Sequence, residues 1–192
     1  MTDAFWRVFH FTTLIFTLFP LIIILAPTIN ENNFKSDIIE RFERFYFRKP
    51  NELLNKEAVN INGLTDEIIN EKRNNAEYPE NFCNDINSFR QFGSDTRHFV
   101  GHNIFYDKQY IGFWLPNIFC TMQTNTAVLK LKRQNGKPKF PSLEETAKYY
   151  GIETDKNELH GSMYDSYITY QIFCKMLMDK NISNKVIDFL NK

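Results

Sequence analysis

The sequence predicts an α/β domain, and three observations carry that expectation. Ile168, Ile172 and Met176, with Phe173 and Leu177 beside them, recur at a period of about 3.6, one face of a helix over Ser166–Met178. Thr96–Gly101 reads as a short strand that delivers His102 and Asn103. Phe11–Ala26 is an uncharged run rich in Ile, Phe and Thr, for which buried strands are one reading and a membrane segment another. The 192 residues suffice for one domain with a sizeable core. No internal repeat or flexible linker divides them, so 1–192 is read as a single domain.

Composition narrows the class. Hydrophobic residues make up 43% and charged residues 24%, an ordinary globular balance. The 19 Phe and 9 Tyr supply large buried area, with base-stacking surface as a second use. Formal net charge is zero, so electrostatics alone does not argue for nucleic acid. An enzyme that grips a few nucleotides through metal ions needs no basic surface. Cys83, Cys120 and Cys174 are odd in number and widely spaced, with no C-x-x-C pair, and read as buried free thiols in a reducing compartment.

Taken in order, the chain starts with its least ordinary part. One reading of residues 11–26 is a membrane anchor or signal segment behind Arg7. The run is shorter than the ~20 residues that span a bilayer and contains Pro20. A second reading is two buried strands joined by a turn near Pro20. Thr28–Asn33 reads as a strand end and a polar turn, and Phe34–Arg48 is ambiguous between strand and helix. Lys49–Asn51 is a break, and Gly63–Glu67 opens a helix with Thr65 as N-cap. Lys72–Asn81 reads as a loop, Asn84–Phe92 as a helix, and Pro116–Thr126 as a segment carrying a strand. Lys130–Lys139 is a basic loop with an Asn135-Gly136 turn, either solvated or tracking phosphate. Ile182–Leu190 is a last amphipathic piece.

Two aspartates stand where apolar residues belong. Asp165 lies three residues before Ile168 and falls on the same stripe. Asp107 shares a stripe with Ile104, Ile111, Trp114 and Leu115. A carboxylate on a buried face is costly unless something pairs with it, and a bound cation is one such partner. Two such aspartates on two helices point to a shared divalent-metal site built from oxygen ligands. His160 must sit in the turn before the helix if it is to converge on Asp165. A plain helix start, with Ser162 as N-cap and Asp165 facing the dipole, accounts for that segment equally well on its own.

Val100-Gly-His-Asn-Ile-Phe-Tyr-Asp107 resembles the second motif of the DEDDh 3′–5′ exonucleases, and His160-x-x-x-x-Asp165 resembles their third. This group includes the proofreading epsilon subunit of bacterial DNA polymerase III. Asn60-Ile-Asn-Gly-Leu-Thr-Asp-Glu67 is similar to the family's H-G-I-T-x-E segment. Pro141–Ile152 is similar to the helix leading to the third motif. Order and spacing agree from about Ile29 to the C-terminus. The family's first motif is D-x-E-T-T-G, followed by a second strand, I-I-E-I-G-A, which Leu21–Ala26 resembles. Counting back sets Thr12-Thr13 on the motif's threonines, and Phe9 and Phe11 then fall where its aspartate and glutamate belong. Asp3 is the only acidic residue before Glu31.

The resemblance implies a ribonuclease H-like fold, a mixed central sheet flanked by helices, with residues 1–28 an atypical stand-in for the first-motif region. It implies two-metal hydrolysis of 3′-terminal phosphodiesters with Mg²⁺ or Mn²⁺. His160 is then the general base, Asp107 and Asp165 the metal ligands, and His102 and Asn103 the residues that position the strand end. The expected substrate is the 3′ end of a single strand, DNA ahead of RNA. A DNA polymerase is a candidate partner, and the expected location is the cytoplasm unless residues 11–26 anchor the chain to a membrane. Without the first-motif carboxylates the site loses most of its negative charge, so impaired activity is expected. A disrupted start of the reading frame and a pseudo-enzyme are the two histories that fit. A nucleic-acid-binding module without catalysis and a membrane-anchored protein are the alternative functions.

Overall fold

In the computed structural model, residues 6–10, 21–30, 33–49, 51–94, 96–111 and 115–192 are described, those before residue 41 by their backbone. Five strands form one mixed sheet in the order β3-β2-β1-β4-β5. β1 (Trp6–His10), β2 (Leu21–Asn30) and β3 (Asn33–Phe42) make an antiparallel meander. β4 (His98–Gly101) joins β1 in parallel, and β5 (Asn117–Cys120) joins β4 in parallel. The expected mixed central sheet flanked by helices is therefore present. Phe11–Pro20 lies outside the described residues, as does Trp114. Leu21–Ala26 is a strand paired on both sides rather than part of a helix. Among the described residues no helix is long and apolar enough to cross a membrane.

Between β3 and β4 come α1 (Lys56–Asn62), α2 (Asp66–Arg73) and α3 (Phe82–Gly93). Thr65 caps α2 as the sequence predicts, its hydroxyl accepting the Ile68 N–H at 3.3 Å. α4 (Ile104–Ile111) follows β4, and α5 (Thr121–Leu129) follows β5. α6 (Leu143–Tyr149), α7 (Ser162–Met178) and α8 (Ser183–Leu190) complete the chain.

The alternation of β4 sorts two cores onto the two faces of the sheet. Val100 and Phe119 pack with α6, α7 and α8 around Ile168, Ile172, Phe173 and Met176. Phe99 and Cys120 pack on the other side with Phe82 and Phe89 of α3 and Ile104 and Ile111 of α4. α7 crosses β1, β2 and β4, so its apolar stripe covers the middle of the sheet. On the α3 side, buried Asp85 accepts the Tyr46 hydroxyl at 2.7 Å and an Arg44 guanidinium N–H, tying the chain after β3 to α3. Burial, and then the hydrogen-bonded Asp85 carboxylate, push the Tyr46 phenol well above its usual range.

Four local expectations are corrected. α1 and α5 lie in stretches that the sequence pattern does not mark as helical. α2 extends through Arg73 into the stretch read as a loop. The N-cap of α7 is Gly161, with Ser162 the first helical residue and no side-chain cap. Cys83 is exposed on α3 and Cys174 half-buried; of the three free thiols only Cys120 is buried.

Ile172 is fully buried at the centre of the α7 core, whereas Ile187 on α8 is largely exposed. Ile172→Ala should lower unfolding free energy by about 2–5 kcal/mol in urea titrations. Ile187→Ala should change it by less than about 1 kcal/mol.

Candidate active site

The turn after β4 and the starts of α4, α5, α6 and α7 line a cavity of about 290 Å³. His102, Asn103, Asp107, His160 and Asp165 all line it, so the five residues singled out from the sequence come together in one place. Glu144, in the first turn of α6, stands at the same cavity and was not anticipated; its neighbours in sequence read only as a helix start. The signal was present as the capping box of Ser142 and Glu145, which seats Glu144 beside Ser142 at the wall.

β4 ends at Gly101, and the chain turns through His102 and Asn103 into α4. Asn103 has φ 75°, a left-handed conformation that asparagine tolerates better than most residues. Its carbonyl accepts the Tyr106 N–H at 2.8 Å and starts the helix. Asp107 follows one turn later on the face that also buries Ile104 and Ile111. Its place in the first turn sets the carboxylate near the positive end of the helix dipole.

The His102 ring is buried and both its nitrogens are engaged. Nε2 lies 3.1 Å from the Pro141 carbonyl, and Nδ1 lies 3.0 Å from the Thr121 hydroxyl. A carbonyl can only accept, so Nε2 carries the proton and Nδ1 faces the Thr121 hydroxyl, whose single hydrogen is also within reach of the Gly101 carbonyl at 3.3 Å. Burial pushes the imidazole down to about 4, partly offset by the Pro141 carbonyl, so the ring is neutral at physiological pH. Its hydrogen bonds hold the segment leading into α6 against the start of α5.

His160 is exposed, with φ 70°. The strained turn aims its backbone N–H at Asp165 Oδ1, 3.2 Å away. Gly161 follows; a Cβ there would meet the Glu158 carbonyl at 3.0 Å, which is why the tight turn takes glycine. Asp165 is buried in the first turn of α7. Burial pushes its carboxyl up to about 7, and the His160 N–H pulls the other way.

Two buried aspartates beside a histidine are oxygen and nitrogen donors suited to a divalent cation. A pair of ions about 4 Å apart also needs a ligand that bridges them. Among the described residues no three Asp, Glu, His or Cys side chains come together closely enough to share a metal ion. The described donor set does not fit two ions. In the register of the sheet Phe9 of β1 pairs with Gly101 of β4, one residue before His102. The position at which the resemblance expects the first-motif aspartate is thus beside the cavity, and it is a phenylalanine.

Asp165 gives a pH signature with a definite sign. Its carboxyl titrates higher folded than unfolded, so the folded state binds the extra proton and loses stability as pH rises from about 4 to about 7. Asp165→Asn should leave the melting temperature unchanged near pH 4. At pH 8 it should stabilise the chain by up to a few kcal/mol, read by thermal melts across that range. Equal effects at both pH values would contradict the assignment.

Comparison with known proteins agrees with this geometry. The family model RNase_T, described as Exonuclease, matches residues 20–173. The chain is 29% identical over 144 residues to the PolC-type DNA polymerase III of Staphylococcus epidermidis, and 28% identical to that of Staphylococcus haemolyticus. These matches span 73% of this chain but only 9% of each polymerase. Among solved structures, Exonuclease X in complex with 5′ overhanging duplex DNA superposes with a TM-score of 0.62 at 15% identity, covering 96% of this chain and 99% of that one. The nuclease domain of 3′hExo, a DEDDh family member bound to rAMP, superposes with a TM-score of 0.63 at 12% identity, covering 93% and 94%. The fold is therefore that of the ribonuclease H-like DEDDh nucleases, and with the family match spanning most of its length the chain belongs to the DEDDh exonuclease family.

Proposed function

We propose that this chain is a 3′–5′ exonuclease-family domain that keeps the substrate side of the site and has lost much of its hydrolytic power. One observation carries the reading. The cavity is lined by Asp107, Glu144, His160 and Asp165, yet among the described residues no three such side chains lie close enough to share a metal ion, and residues 4–30 contain no carboxylate. In this family hydrolysis draws on divalent ions to activate water and stabilise the leaving 3′-oxygen. With the bridging carboxylates replaced by Phe9 and Phe11, no step through such ions follows from the residues present.

The remaining residues have separable roles in this reading. Asp107 and Asp165 are the cation-binding carboxylates, and Asp165 must lose its proton to serve. His160, exposed at the mouth, is the proton acceptor for an incoming water; imidazole suits that role near neutral pH. Asn103 offers its side-chain amide to the strand end. His102 has both ring nitrogens committed within the protein, so it positions the strand by holding the cavity wall at Pro141.

The substrate in this reading is the 3′ end of a single strand, DNA ahead of RNA. The polymerases that share sequence with this chain support that order, while the structures that share its fold include one with duplex DNA and one with rAMP. A polymerase partner is a weaker extension, since the similarity covers so small a share of those proteins. A nucleic-acid-binding module without catalysis is the second reading, favoured by the same missing carboxylates.

The test is nucleotide release from a 3′-labelled single-stranded oligonucleotide with Mg²⁺ and then Mn²⁺. The parent chain should release no more than its Asp165→Ala variant while still binding the strand. Phe9→Asp combined with Phe11→Glu should raise metal-dependent release by about a hundredfold or more over the parent. Rapid, Asp165-dependent release by the parent would show that another carboxylate completes the site.

A further inference from the structure

The stretch 130–139 is the most strongly charged part of the chain, in a protein of zero formal net charge. It carries Lys130, Lys132, Arg133, Lys137 and Lys139 and no acidic residue. It is also ordered. Lys132 bridges Pro138 in antiparallel fashion, the Arg133 N–H donates to the Lys137 carbonyl at 2.8 Å, and the Lys139 N–H donates to the Leu131 carbonyl at 2.9 Å. Gly136, at φ 76°, closes the turn.

The hairpin places like charges side by side. Arg133 and Lys137 stand directly opposite each other across it, an arrangement that is destabilising unless an anion lies nearby. Among the described residues no carboxylate ion-pairs with Lys130, Lys132, Arg133 or Lys137. Lys139 alone is tied, to Glu145 of the α6 capping box. That tie fixes the base of the hairpin to the helix start whose Ser142 and Glu144 line the cavity. Phe140, between hairpin and cavity, is 51% exposed although it is a large apolar residue.

A run of cations with no carboxylate partner among the described residues except at Lys139, continuous through an exposed aromatic ring with the Pro141–Glu144 wall of the cavity, offers what single strands require: cations for phosphates and a ring for a base. We infer that the 130–139 hairpin and Phe140 form a binding track for the phosphodiester backbone upstream of the 3′ end held in the cavity. The inference rests on the reading of the cavity as a strand-end site and extends it to substrate length. The arms reach about 10 Å from the base at ~3.3 Å per residue. With at least ~3.4 Å between successive phosphates, the track engages nucleotides a few steps back from the end.

The experiment is fluorescence anisotropy with single-stranded DNA of about fifteen nucleotides and with a trinucleotide, over a series of NaCl concentrations. The proteins are the parent chain, K132A/R133A/K137A and Phe140→Ala. All four positions are exposed, and circular dichroism checks that the variants fold. The triple variant should weaken the long strand by at least about tenfold and reduce the slope of log K against log salt by about 2, from three phosphate contacts at ~0.7 each. Phe140→Ala should weaken it by about tenfold. Neither change should alter trinucleotide binding. If the parent binds both strands and the triple variant binds the long one equally well, with the same slope, the track is wrong and the cavity reading stands. If the parent binds neither strand, the cavity reading itself fails and takes the track with it.

Discussion

Taking a carboxylate out of water costs several kcal/mol unless dipoles or a cation replace its hydration. Asp107 and Asp165 both meet that cost inside the apolar faces of α4 and α7. Each is placed in a first helical turn, where the backbone presents its positive end. Asp165 gains a backbone N–H from His160, and that bond requires the left-handed turn at His160 and the glycine after it. The compensation is incomplete, as the upward shift of Asp165 shows. A fold that keeps two such groups beside one cavity is organised for something more than its own stability.

The sheet explains why these groups meet. β1 is the centre of the order β3-β2-β1-β4-β5, and the parallel run from β1 to β5 brings the ends of β1 and β4 to the same edge. α4 leaves from the end of β4, and α7 returns across β1. The same register brings Phe9 level with Gly101. The gathering of the two aspartates and the place of Phe9 are therefore features of one strand pairing. Family membership follows from fold and sequence together, whereas activity depends on a few charges that the fold does not guarantee.

Periodicity made the aspartates legible because a charged residue on an apolar stripe is anomalous whatever surrounds it. The stripes at Ile104–Ile111 and Ile168–Met176 needed no tertiary information, nor did the Thr65 cap, whereas apolar content alone left Leu21–Ala26 open between a membrane segment and a strand that its pairing with β1 and β3 decides. α1 escaped because it buries only Ala58 and so has no stripe; Asn55 starts it by capping the Glu57 and Ala58 N–H groups. α5 escaped because Thr121, Thr124, Asn125 and Thr126 are poor helix formers. It is held by tertiary bonds, with Asn125 accepting the Tyr150 hydroxyl at 2.6 Å. The engagement of both His102 nitrogens was also out of reach, since its partners lie 19 and 39 residues away.

On the proposed reading, the carboxylates around the cavity do not suffice for two metal ions. Calorimetric titration of the chain with Mn²⁺ at pH 8, where Asp165 is largely ionised, tests it most directly. At most one weak site per chain is expected, lost in the Asp107→Asn and Asp165→Asn variants. Two sites, both abolished by Asp165→Asn, would contradict it and would mean that a carboxylate elsewhere in the chain replaces the first motif.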